Sequence, residues 1–236
     1  MATARPIVEI SEASTRMRLI MTAMRLFAAD GVGKVSLRAI SAESGSRNTA
    51  AAHYHFENKL GLVEAVLAFI RREVWDPAQR RLEGAIERDA DLRELLILGI
   101  WPSKMTVFDF PWGGDARDCL AYCHFNPDLQ IRALAKRCTD ELMDCFRAAV
   151  RTKVPGLPDR VFDQRWTFIM TAMVLGQWAR TVHLGHEPGP KEPAQWTEET
   201  ERAYIEALLD YAVAGLKAPV TQWSHPNLSD PHTRPG

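Results

Sequence analysis

Residues 46–56 put hydrogen-bonding and small side chains into one short run: Ser46-Arg47-Asn48-Thr49-Ala50-Ala51-Ala52-His53-Tyr54-His55-Phe56. Arg47, Asn48 and Thr49 carry the donors and acceptors that meet base edges, and recognition helices present such residues at their start. Ala50, Ala51 and Ala52 are small enough for a helix backbone to sit deep in a groove about 12 Å wide. His53, Tyr54 and His55 follow and Lys59 lies just beyond. With Lys34, Ser36 and Arg38 they offer a set that can hold phosphate oxygens. Lys34, Arg38 and Lys59 also read as ordinary solvated charges.

Other chemistry is thinner. Cys119 and Cys123 lie one helical turn apart beside His124, but zinc needs about four ligands. Cys138, Cys145 and His183-x-x-His186 are available, and nothing in the spacing brings them together. Buried thiols are the commoner outcome, with a redox-sensing cysteine as the other reading. No metal and no cofactor is expected. The chain has no Gly-rich phosphate loop, no Gly-x-Ser-x-Gly elbow and no His-Glu-x-x-His, so no catalytic residue is expected either.

The elements that must position these residues are helical nearly throughout. Ile20, Ala23, Met24 and Phe27 share a helix face, and Gly31 follows as a C′ residue. Ser36 precedes Leu37 and Ile40 as an N-cap, and Gly45 closes that short helix. A third segment runs through Asn48–Tyr54. Leu60, Val63, Leu67, Ile70 and Val74 define a longer helix that Pro77 kinks or ends. Further helices are expected near 91–101, 115–125, 128–151, 158–183 and 197–216. Asn126-Pro127 reads as N-cap and N1 of the third of these, and Thr197 as N-cap of the last. No alternating Val/Ile run suggests a sheet. The fold class is therefore all-α: a three-helix helix-turn-helix head at 16–62 and a larger helical body at 63–217. A flexible arm (1–15) precedes them and a loose tail (218–236) follows.

The string Ala23-x-x-Leu26-Phe27-x-x-x-Gly31, then Ser36-Leu37-Arg38-x-Ile40, Gly45, Tyr54-His55-Phe56 and Lys59-x-x-Leu62 resembles the tetracycline-repressor-like (TetR) family of transcription regulators. Three departures stand out. The stretch from Gly45 to the aromatic end is one residue longer than the usual pattern, His53 replaces a common Tyr, and Ser41 replaces a common Ala. The resemblance implies a homodimer that binds a double-stranded, palindromic DNA operator. It also implies repression relieved by a small molecule.

Composition agrees with such a two-part chain. The net charge is −1, yet residues 1–60 carry eight Lys/Arg against five Asp/Glu, a basic head on an acidic body. No run approaches the roughly 20 apolar residues of a membrane span, the N-terminus lacks a signal-peptide core, and cysteines are few. A cytoplasmic setting without membrane contact is expected. Seven Trp and eight Met suggest an apolar pocket in the body. Its candidate lining is Trp101, Met105, Phe108, Tyr122, His124, Phe146, Trp166, Met170, Met173 and Gln177. The effector expected there is an apolar or aromatic molecule, neutral or weakly acidic. Met105–Gly114 reads as a pocket gate or as a buried connection. Wide apolar stripes on the last two helices assign Phe168, Val174, Leu175, Gly176, Ala179, Leu208, Ala212 and Gly215 to a dimer interface. The competing reading is a helical protein-interaction module without DNA-binding function.

Overall fold

The computed structural model describes residues 7–46, 51–183 and 197–220, with side chains over 15–46, 51–173 and 197–220. Among these residues the chain forms ten α-helices, one π turn and no strand. The helices are α1 (Ile7–Asp30), α2 (Leu37–Glu43), α3 (Ala51–Phe56), α4 (Lys59–Ile70), α5 (Asp76–Glu87), α6 (Leu92–Asp109), α7 (Gly113–His124), α8 (Leu129–Thr152), α9 (Asp159–His183) and α10 (Glu198–Lys217). The π turn, Arg71–Trp75, joins α4 to α5.

In the head, α1 begins at Ile7, inside the stretch expected as an arm. Residues 7–13 contain no Pro or Gly to break it. Gly31 takes φ +79° and closes α1 with its N–H on the Phe27 carbonyl at 3.0 Å. Ser36 caps α2 as expected, its hydroxyl accepting from the Ala39 N–H at 3.1 Å. Phe27, Leu37, Ile40 and Phe56 are buried together with Leu62 and Val63 of α4, so the small head leans on the first long helix of the body.

The body departs from the sequence reading in three places, each with a physical reason. The helix through Leu60 and Ile70 stops being α-helical at Arg71, before Pro77. A proline at 77 would drive its ring into the Glu73 carbonyl. The backbone widens instead, with the Asp76 N–H reaching the Arg71 carbonyl, and Pro77 sits in the first turn of α5. Second, α6 does not end near 101 but continues through Pro102 to Asp109. The Ser103 and Thr106 hydroxyls donate to the Ile100 and Pro102 carbonyls around this point. Third, Asp128 rather than Asn126 caps α8, while the Asn126 side chain accepts from the Asp128 N–H at 3.0 Å. The capping box of α10 at Thr197 is present.

Helix α6 is the central post, packed against α5, α7, α8 and α10. It approaches α8 closely at Gly99, where a Cβ would lie 2.5 Å from the Phe146 ring. Met105–Gly114 is a packed connection: Phe110 stacks on Trp112 at 4.4 Å between centroids, and Trp112 meets Phe69 edge-on at 5.0 Å. No helix among the described residues is long and apolar enough to cross a membrane.

Candidate nucleic-acid interface and ligand cavity

The head presents its polar residues on one outer surface. Lys34, Ser36 and Arg38 are exposed at the start of α2, and neither Lys34 nor Arg38 makes an ion pair among the described residues. On α3, His53 is exposed and Tyr54 is 73% exposed, large for an aromatic ring with no partner in the core. His55 is half-buried, its ring 5.1 Å from that of Tyr54. Arg47, Asn48, Thr49 and Ala50 lie outside the described residues.

What seats α3 is a contact the sequence reading did not assign. Ser41, fully buried on α2, accepts from the Ala52 N–H at 3.0 Å. The first N–H groups of any helix lack intrahelical partners, and here the neighbouring helix supplies one. The Ser-for-Ala departure at 41 was the available signal. At the other end of α3, a Cβ on Gly61 would lie 2.5 Å from the Phe56 carbonyl oxygen, so glycine lets α3 abut α4.

Lys59 has a different setting from the exposed cation expected. Its ammonium donates to the Val32 and Gly33 carbonyls at 2.7 and 3.2 Å, tying α4 to the turn before α2. Burial lowers its pKa. Two of three N–H donors are thus spent on the fold, so its first role here is structural.

In the body, a cavity of about 460 Å³ opens between the π turn and helices α6, α7, α8 and α9. Two backbone irregularities shape it: Val74 and Trp75 of the π turn, and the stretch after Pro102 in α6. Leu120, His124 and Phe125, with Met143, Met170 and Met173, complete most of the apolar wall. Of the expected lining residues, the structure brings His124, Met170 and Met173 to the cavity. Phe146 and Trp166 instead pack edge-to-face at 4.8 Å in the core, and Met105 is fully buried. Trp101 borders a separate hollow of about 200 Å³ near Arg81, with the Arg202 guanidinium over its ring. Phe108 is half-buried against the core. Tyr122 turns away from the cavity toward α1, and a Cβ on Gly31 would lie 3.7 Å from its ring. The Gln177 side chain lies outside the described residues.

Lys104 is the polar residue the sequence reading missed. It lines the cavity at 4% exposure, with its ammonium 5.4 Å from the Tyr204 ring centroid. It was legible as the lone base within the apolar run from Leu95 to Phe108. Burial lowers the His124 pKa, against the opposing pull of Asp140, so the imidazole is held toward its neutral form. Cys119 and Cys138 resemble inert core residues. The hydrogen bond to Cys123 and burial raise Cys119 well above the ordinary range, and burial pushes Cys138 up to about 12. No group of three or more metal-ligating side chains occurs among the described residues.

The expected dimer stripe divides. Phe168 of α9 is 60% exposed, but Leu208 and Ala212 are sealed within the chain itself, where α10 packs on α6 and α9. They belong to the buried row Ile205, Leu208, Leu209, Ala212 and Leu216, spaced by three and four, and cannot face a partner. Gly215 lies at the edge of that row. The opposite face of α10 exposes Ala203, Ala207, Tyr211 and Ala214, a second apolar row at the same spacing. The side chains of Val174, Leu175, Gly176 and Ala179 lie outside the described residues.

A helix-turn-helix head joined to a helical body with an internal cavity defines a class of DNA-binding regulators. Residues 19–66 match the family model of bacterial regulatory proteins, tetR family. Residues 113–215 match that of the tetracyclin repressor-like, C-terminal domain. The chain belongs to the tetracycline-repressor family of transcription regulators. No curated protein matches it. Among solved structures it is similar to a transcriptional regulator from Saccharomonospora viridis in complex with choline. The identity is 20%, covering 84% of this chain and 95% of that one, with a TM-score of 0.60. It is also similar to a TetR family regulator from Marinobacter aquaeolei VT8, at 18% identity over 86% and 97% of the two chains and a TM-score of 0.54. A third, from Shewanella sp. PV-4, shares 14% identity over 84% and 97%, with a TM-score of 0.55. At these identities the likeness concerns the fold.

Proposed function

We propose that this chain is a homodimeric repressor, acting in the cytoplasm, that leaves a palindromic operator when a small molecule fills the cavity of its body. The observation that carries the reading is the position of α7. One side of this helix lines the cavity through Leu120 and His124. The other packs along α1, with Tyr122 against Gly31 and Asp115 near Arg25. Burial raises the Asp115 pKa and the Arg25 charge opposes that shift, so the carboxyl sits in a desolvated junction between head and body. Arg25 in turn pairs with Glu43 of α2. A ligand that shifts α7 therefore moves the head directly. Operator affinity falls only by the ligand's differential affinity for the two head positions.

Two apolar rows support the dimer: Phe168 on α9, and Ala203, Ala207, Tyr211 and Ala214 on α10. Exposed rows at helical spacing call for a partner surface, and a two-fold axis supplies an identical one. The Saccharomonospora viridis regulator holds choline. Here the described cavity wall is mostly apolar, with Met143, Met170 and Met173 on it, which suits an apolar or aromatic effector.

The DNA half of the reading is tested by anisotropy titrations on a bound promoter fragment and on random DNA across salt. Arg47→Ala costs about 1–3 kcal/mol on the promoter and relaxes preference at one or two base pairs. Arg38→Ala weakens both DNAs alike and flattens the salt slope by about one unit. Equal effects of the two substitutions on promoter and random DNA would remove the assignment.

A further inference from the structure

Three side-chain hydroxyls belong to the described cavity wall, and each has its hydrogen committed to the backbone. Ser103 donates to the Ile100 carbonyl, Thr106 to the Pro102 carbonyl and Thr139 to the Lys136 carbonyl. What these groups still offer is oxygen lone pairs, which accept. The two cations on the wall are engaged as well. Arg117 pairs with Asp118 at 2.7 Å, and Lys104 interacts within the chain, with the Tyr204 ring among its contacts.

His124 is set apart from these groups. It lines the cavity from the last turn of α7 and makes no hydrogen bond to any described residue. Burial holds the ring toward its neutral form, and Asp140, which opposes that, is itself paired with Lys136 at 2.5 Å. A neutral imidazole carries one bare nitrogen, and that nitrogen accepts. Together with the three hydroxyl oxygens it makes an uncharged, acceptor-bearing side of the cavity, which a donating ligand matches. The apolar side is soft and aromatic: Met143, Met170 and Met173, with the rings of Trp75 and Phe125. Sulfur and ring edges both favour an aromatic guest, and about 460 Å³ is room for a fused two-ring body.

We infer that the effector is a neutral aromatic alcohol of the phenol type. Its hydroxyl donates to the bare nitrogen of His124, and its ring lies against Met143, Met170 and Met173. The polar contact thus falls on α7, the helix that packs along α1, and the methionine contacts fall on α8 and α9. A ligand held in this way ties α7 to the rest of the body through its own two ends. Methionines repack around different shapes, so the ring is selected loosely, while the hydroxyl is selected sharply, because an analogue without it leaves His124 unpaired. This inference rests on the cavity being the effector site, and it narrows the apolar or aromatic molecule proposed for it.

The test is calorimetry on the full chain at about pH 7, where a phenol keeps its proton, with β-naphthol, its methyl ether and its fully hydrogenated analogue β-decalol. The ether keeps the ring and the oxygen and lacks the donor, whereas decalol keeps the donor and lacks the aromatic ring. The unaltered protein binds naphthol at least about tenfold more tightly than the ether and at least about threefold more tightly than decalol. His124→Leu removes the preference over the ether, and His124→Gln, whose amide oxygen accepts, keeps it. Thermal unfolding checks that both variants are folded, and the three ligands on the unaltered protein read both preferences without them. The ether or decalol binding as tightly as naphthol overturns the inference and leaves the cavity reading intact. So does a preference for naphthol over the ether that persists in folded His124→Leu. Failure of all three ligands to bind, or binding that ignores the cavity-filling Met170→Trp, overturns the cavity reading and this inference with it.

Discussion

Ser41→Ala removes one oxygen from the junction between α2 and α3. Ser41 is fully buried, and its hydroxyl accepts from the Ala52 N–H at 3.0 Å, also in the core. Alanine leaves that N–H desolvated and unpaired, at about 1–3 kcal/mol. Its better helix propensity returns about 0.5 kcal/mol within α2. The net loss is about 0.5–2.5 kcal/mol, read as a lower urea midpoint with an unchanged slope. A domain of ordinary stability, about 5–15 kcal/mol, stays folded through such a loss. Any fall in DNA affinity at room temperature then reports the seating of α3, not a smaller folded fraction. The expected DNA result is weaker binding to promoter and random fragments, larger on the promoter. A midpoint that moves by less than about 0.5 kcal/mol equivalent, the range of neutral surface changes, together with unchanged affinity, would refute the claim that Ser41 seats α3.

Three further outcomes follow from the geometry. Gly113→Ala places a Cβ 1.8 Å from the Thr106 carbonyl oxygen, backbone on both sides, so the turn between α6 and α7 must open; the loss exceeds about 3 kcal/mol in thermal unfolding. Burial lowers the His124 pKa from 6.5, so the unfolded chain binds this proton more readily and His124 costs stability as pH falls below 6.5; His124→Gln shows a shallower loss of stability across that value, and an identical slope would contradict it. Tyr211→Glu puts a charge into the exposed row of α10 and yields a chain of monomer mass in light scattering with its helicity intact, whereas a persisting dimer mass would move the interface elsewhere.

The head was legible because its signals are local. Gly31, Ser36 and Gly45 each mark a boundary by their own backbone or capping chemistry, and Ile20, Ala23, Met24 and Phe27 recur at helical spacing. The body was legible in its helix content and less so in its interior. Pro102 reads as a break, yet packing on four neighbouring helices carries α6 across it. Phe146 and Trp166 read as pocket rings because composition cannot separate a ring that fills a core from one that borders a void. That distinction was made by Gly99, which lets Phe146 fill the space against α6. The two stripes of α10 were both present in sequence, but which faces inward depends on α6. Leu208 was therefore assigned to the partner when it belongs to the chain's own core.

The central claim is that the head reads DNA as a two-fold pair. Selection of bound fragments from a random-sequence DNA library by the full chain tests it most directly. The expected result is enrichment of a palindrome whose half-sites lie about one helical turn, roughly 34–36 Å, or a multiple of it apart, and loss of that motif in Asn48→Ala. A bound pool with no motif above the input library, from protein shown to be folded and dimeric, would contradict it.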